Sequence, residues 1–289
     1  MKNRTMNNLL ASVVLLGAAA TGVSALQITY VSNTGNDANP GTANSPCATF
    51  AGAYAKTAAG GEIKALNAGN YVTLTNQLTI NKSITIDGDG GLALLQITVN
   101  TGNVTLRNID FNTNYEGIYV EGPASLLVEN SKFGVSGYGI QVNSSNVNLT
   151  VNKSTFSGGI RGVWVDRNLG VVETTLRDIT VTNVSGAGAF IESGQTDISN
   201  STVSGAYEGL VADDGGTIHA SGDVFSHNRI GVLANTGSTI AITNDDIVDN
   251  ETGIYLDGDI KGNVLTTGNN RLYGNQLDGD NPTGTITQK

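Results

Sequence analysis

The chain has a single cysteine, Cys47, in 289 residues, so no disulfide can form within it. Stability must come from packing and hydrogen bonds. Histidine is nearly absent as well. His219 and His227 have no third partner at a usual ligand spacing, which argues against a zinc site. No Ser-His-Asp arrangement, phosphate-cradling glycine loop or cysteine cluster is present. Basic residues are scarce, 15 Lys and Arg against 25 Asp and Glu, for a formal charge of −10. That balance speaks against a nucleic-acid partner and against attraction to anionic lipid. A polyanion such as pectin would be repelled unless a cation bridged the two. Only four prolines interrupt the chain, and charged residues make up 14% of it.

Glycine, by contrast, is plentiful at 38 residues, and it recurs with a period. A glycine followed by a short apolar segment begins at Gly117, Gly139, Gly162, Gly188, Gly209, Gly231 and Gly253. A repeat of about 22 residues signals a solenoid, in which no unit buries its apolar face alone. A second column keeps the same step: Phe111, Phe133, Phe156, Val181, Val203, Phe225 and Ile247. Three residues before each stand Asn108, Asn130, Lys153, Asp178, Asn200, Gly222 and Asn244, which reads as a turn whose amides bond from rung to rung. Asn152 is one place off this column and predicts a local bulge. Segments such as Leu78–Ile80 and Ile84–Ile86 alternate apolar with polar, the mark of half-buried strands. Three strands per rung make an all-β, single-stranded parallel β-helix, right-handed by the general rule for parallel crossovers.

Residues 1–25 read as a signal peptide: Lys2 and Arg4, an apolar run from Leu9 to Ala20, then Val23-Ser24-Ala25. The mature chain would begin at Leu26, be secreted, periplasmic or at the cell surface, and keep no membrane segment. Residues 26–289 form one domain. Within it, 26–62 hold a strand and a capping helix, 63–277 the rungs, and 278–289 a loose C-terminal cover. The helix is expected to run from Pro46 to about Ala59, with Ser45 as its N-cap and Gly60-Gly61 as its stop. Cys47 falls on its apolar face and reads as a small buried hydrophobe.

Stacking turns each repeat position into a stripe. Two places after the glycine lie Tyr119, Gln141, Trp164, Phe190, Val211, Leu233 and Tyr255. Facing outward, Tyr119, Trp164, Phe190 and Tyr255 would bind sugar rings; covered by a loop, they would be a satellite core. Four places after it lie Glu121, Asn143, Asp166, Glu192, Asp213, Asn235 and Asp257. Asp166, Glu192 and Asp213 on consecutive rungs suit a Ca²⁺ ion or a carboxylate pair; turn preference alone is the alternative. The rung from Gly162 is long. Its extra residues fall after Asp166, beside Arg161 and Arg167, the cations a lyase would need with those acids.

The stretch Tyr30–Gly41, then Ser45-Pro-Cys-Ala-Thr-Phe50, Gly60-Gly-Glu-Ile63, Ala68-Gly-Asn-Tyr71, Ser83-Ile-Thr-Ile-Asp87 and Gly268-Asn-Asn-Arg271 resembles secreted bacterial right-handed parallel β-helix repeat proteins of the pectate-lyase-like superfamily. The resemblance implies the fold and an N-terminal cap. It assigns no activity, since this fold serves lyases, hydrolases, epimerases and adhesins. Three functions remain open on the residues: an exported protein engaging a polysaccharide or cell-surface glycan without strong catalysis, a Ca²⁺-dependent lyase or glycosidase, and a structural surface protein or adhesin.

Overall fold

The computed structural model describes residues 25–71, 77–93, 96–167, 169–257 and 262–286. The signal-peptide reading of residues 1–25 therefore falls almost wholly outside the described residues.

The chain coils. Every pairing between its strands is parallel, and each strand pairs with its counterpart one coil away. Among the described residues one sheet has ten strands, from Gln77–Ile80 to Leu277–Gly279. A second sheet of nineteen strands contains two stacked ladders joined at the long bent strands Ile84–Ala93 and Gly102–Phe111. Each coil thus contributes three strands, as the spacing requires. The registers follow the sequence columns residue for residue: Gln141 pairs Tyr119 and Trp164, and Phe156 pairs Phe133 and Val181.

The core is the sum of the inward columns. Phe111, Phe133 and Phe156 stack with ring centres 4.6 and 4.5 Å apart. Each fully buried ring contributes about 1.5–3 kcal/mol over an exposed one. The glycine column exists because a Cβ at each position from Gly117 to Gly231 would meet the carbonyl oxygen of the next glycine, and at Gly117 and Gly139 a ring of this stack as well. A Cβ on Gly139 would lie 2.4 Å from the Phe156 ring and 2.5 Å from the Gly162 carbonyl oxygen. The polar column marks a left-handed turn in every coil, with φ between 47° and 72° at Asn108, Asn130, Lys153, Asp178, Asn200, Gly222 and Asn244. Asn130 Nδ2 donates to Asn108 Oδ1 at 2.6 Å. The bulge expected at Asn152 is absent: Asn152 pairs Glu129 and Arg177 in unbroken register, and Lys153 takes the left-handed turn instead. Another asparagine relay lies inside, where Asn228 N–H donates to Asn250 Oδ1 and Asn250 N–H to Asn275 Oδ1.

The long N-terminal helix does not form. Only Phe50–Tyr54 is helical, with Thr49 as N-cap accepting from Gly52 N–H. The Pro46 and Cys47 carbonyls are already bonded by the N–H groups of Asn36 and Ser32, so they cannot start a helix. Cys47 bridges Val31, and Thr57 opens the strand Thr57–Ala65, which pairs with Leu26–Val31. The expected capping helix is thus reduced to this single short turn, which packs Phe50 against Tyr71, both fully buried with ring centres 5.0 Å apart. Cys47 is buried, and that burial pushes its thiol up, as expected of a packed hydrophobe. His219 sits on the strand Thr217–Ser221 beside Asp197. At the other end, Leu277–Gly279 and Gly284–Thr285 pair with the preceding coil.

Candidate functional site

The candidate stripe lies on the ten-stranded sheet. Tyr119, Gln141, Trp164, Phe190, Val211, Leu233 and Tyr255 are register partners in consecutive strands. Their exposure is uneven. Tyr119, Trp164 and Phe190 are half-buried, and Tyr255 is exposed. Val211 and Leu233 are buried in a small apolar cluster with Ala187, against which Phe190 and Ile230 pack. Among the described residues no loop covers that lower stretch; neighbouring strand side chains do, and an uninterrupted outward aromatic face is not formed. The cause is the glycine. It interrupts strict alternation, so the residue before it turns to the same side as the residue two places after it. Ala187 and Ile230 thereby cover Val211 and Leu233.

The same kink builds the upper patch. Arg161, just before Gly162, extends over three rings. Its guanidinium carbon lies 3.8 Å from the centre of Phe190, 4.5 Å from Trp164 and 5.9 Å from Tyr138. The edge of Tyr138 meets Trp164 at 4.7 Å. Such stacking fixes the guanidinium plane and leaves its N–H edge free. Among the described residues Arg161 makes no hydrogen bond or ion pair. Burial holds its pKa below the ordinary value, and Glu192, Tyr138, Glu208 and Asp166 pull it back up. Burial in turn raises the Glu208 carboxyl, against the pull of Arg161 and with a push from Asp213.

The acidic column also stacks, since Asp166, Glu192 and Asp213 donate their N–H groups to Val142, Val165 and Ile191 of the neighbouring coils. Their side chains part company. Glu192 is 1% exposed and accepts from Trp164 Nε1 and from Arg167 Nη2, both at 2.7 Å. Asp166 and Asp213 each fold back onto the next N–H, of Arg167 and Asp214. The carboxylates that come within 4.8 Å of one another are those of Glu192, Asp213 and Asp214, and Asp166 is outside that group. Three carboxylates are a hard-oxygen set that suits Ca²⁺. Yet Arg167 already lies among them, at 2.7 Å from Glu192 and 3.4 Å from Asp214. Those acids hold the Arg167 pKa above its ordinary value, Glu192 most.

The long rung behaves as its spacing foretold. Six residues separate Val165 from Val172, against three between Ile191 and Gln195, and Gly170 N–H is tied to Ser145 Oγ. Asn168 lies outside the described residues. Tyr138, Glu208 and Asp214 were missed by sequence reasoning. The first two occupy the column one place before the glycine, legible from the same period once the kink is known. The patch is a flat strip. A cleft of about 470 Å³ between Asp89, Asp110 and Lys132 is formed by the inserted turn 88–90 on another side of the coil.

A family model described as "Right handed beta helix region" matches residues 161–284. With the parallel ladders, this makes the chain a right-handed parallel β-helix with a pectate-lyase-like fold. The crystal structure of pectate lyase Pel9A aligns with 91% of this chain and 80% of its own, at 19% identity and a TM-score of 0.66. The selenomethionine derivative of a GH136 lacto-N-biosidase from Eubacterium ramulus aligns with 91% of this chain and 67% of its own, at 11% identity. Its TM-score of 0.27 is too low to carry any argument. No curated protein matches the sequence. No helix among the described residues is long and apolar enough to cross a membrane.

Proposed function

We propose that this is an exported protein that holds a polysaccharide along the strip formed by Tyr138, Arg161, Trp164 and Phe190, without strong catalysis. One observation carries the reading: a guanidinium clamped by three rings, with its donors left for the oxygens of a ligand. Sugars present C–H faces to aromatic rings and hydroxyls to such donors. A flat strip of stacked strands suits an extended chain better than a small molecule. Tyr119 and Tyr255 flank the strip at a distance. The local charges are Arg161 and Arg167 against Asp166, Glu192, Glu208, Asp213 and Asp214, which favours an uncharged glycan. Affinity electrophoresis in gels cast with neutral and with uronate polysaccharides tests this. Retardation in a neutral gel should be lost in Trp164→Ala, and equal retardation of variant and parent would refute the strip.

The approach of Glu192, Asp213 and Asp214 favours a second reading, a Ca²⁺-dependent lyase on a uronate polymer, the substrate class suggested by the name of the pectate lyase neighbour. When bound, the ion would supply charge neutralisation for the sugar carboxylate. Arg167 would have to swing out of the acids to admit it, while Arg161 orients the sugar. Ultraviolet-absorbing product that forms only with added Ca²⁺, and is lost in Asp213→Asn, is the expected sign. Silence over a panel of uronate polymers excludes it.

A further inference from the structure

The third strand of each coil is short, and on three consecutive coils its outward face has a chemistry of its own. The strands are Thr155–Ser157, Thr180–Thr182 and Thr202–Ser204. They pair in parallel, residue for residue, with no shift of register. Their middle residues, Phe156, Val181 and Val203, are buried in the core. Strand alternation therefore turns the two flanking residues outward. The outward face is a grid of two columns and three rows, and every one of its six side chains ends in a hydroxyl.

Those hydroxyls are almost unspent. Among the described residues only Thr182 Oγ1 bonds to the protein, donating to the Phe156 carbonyl oxygen at 3.5 Å. No charge stands within the grid. Lys132 pairs Thr155 at one border, and Val224 pairs Thr202 at the other. The lack of charge belongs to this face and not to the coils, because the middle strands of two of them expose Glu173, Arg177 and Asp197.

Geometry then fixes the spacing. Parallel pairing sets the step between rows at about 4.7–4.9 Å, and two residues along a parallel strand span about 6.6 Å. Threonine branches at Cβ, so its side chain is stiff at χ1. The close-packed core behind the strands keeps the rows from shifting. The oxygen rows on a prism face of ice repeat at similar distances in the two directions. Waters held by the grid therefore sit near lattice positions, at a small cost in entropy. The threonine methyls fill the gaps between them without competing for hydrogen bonds. A charged side chain would orient a hydration shell of its own and spoil the match.

We infer that this face binds ice. The activity is separate from the glycan strip, which lies on the ten-stranded sheet. The test is slow growth of ice from a dilute solution of the full chain, with protein measured in the ice and in the remaining liquid. The parent should be taken up into the ice, and a seed crystal held in its solution should stop growing over an interval below the melting point. Thr180 occupies the central row, so Thr180→Tyr should abolish both effects. Thr175→Tyr, on the outward face of the middle strand of the same coil, should abolish neither. Thr180→Lys gives the same reading through charge if the tyrosine variant does not fold. Exclusion of the parent from the ice overturns the inference, as does uptake of the Thr180 variants equal to the parent's or loss of uptake in Thr175→Tyr.

Discussion

Glu192 is the residue on which the patch depends. It is buried, yet it accepts from an indole N–H and from a guanidinium, and so ties Trp164 to the inserted loop through Arg167. Truncating it strands the indole donor. Glu192→Ala should cost about 2 kcal/mol and also weaken retention of the glycan. Arg167→Ala should be milder, because the guanidinium head is largely in water. Urea midpoints of the two variants check the order. An Arg167 variant that is the worse of the two would show that the loop, not the buried acid, holds the ring.

At the scale of the strand and turn, the glycine and phenylalanine columns are one device, since bare backbone lets the aromatic stack come close. Gly139→Ala drives a methyl into the Phe156 ring and should cost at least about 2 kcal/mol, whereas Gly134→Ala, with its nearest neighbour 3.8 Å away, should fall within about 0.5 kcal/mol. Thermal midpoints decide, and equal effects would mean that the corner can relax. Both columns were legible in the sequence because stacking preserves period, and the coil needs no other information to register itself. The side each column faces was less legible. Strict alternation places Arg161 inward; the kink at Gly162 turns it out over Trp164, and a chain written as letters does not show that kink. The capping helix failed for a related reason. Ser45-Pro46 has good local credentials, but Ser32 and Asn36 take the Cys47 and Pro46 carbonyls from across the loop. Asp214 escaped notice because it stands next to a column rather than in one.

For the molecule as a whole, acid works against the N-terminal coils. Near the N-terminus, burial works to raise the Asp87 carboxyl, but hydrogen bonds from Asn108 and Arg107 outweigh it and hold it below the usual range. Arg107 also reaches Glu62 at 2.7 Å. That contribution is present above the unfolded carboxyl's value and disappears as pH falls through the lowered one. The unfolding free energy in urea should therefore fall between pH 5 and pH 3 less in Asp87→Asn than in the parent, and an equal fall in both would contradict the role of Asp87. The uniform step of the coil has a last consequence, for heredity rather than for chemistry. Glu208 stands in register with Ile230, so losing the 22 residues 209–230 joins Glu208 to Gly231 with every column still aligned. Slippage during copying can thus shorten or lengthen this rod by whole storeys while leaving the arginine and its three rings where they are.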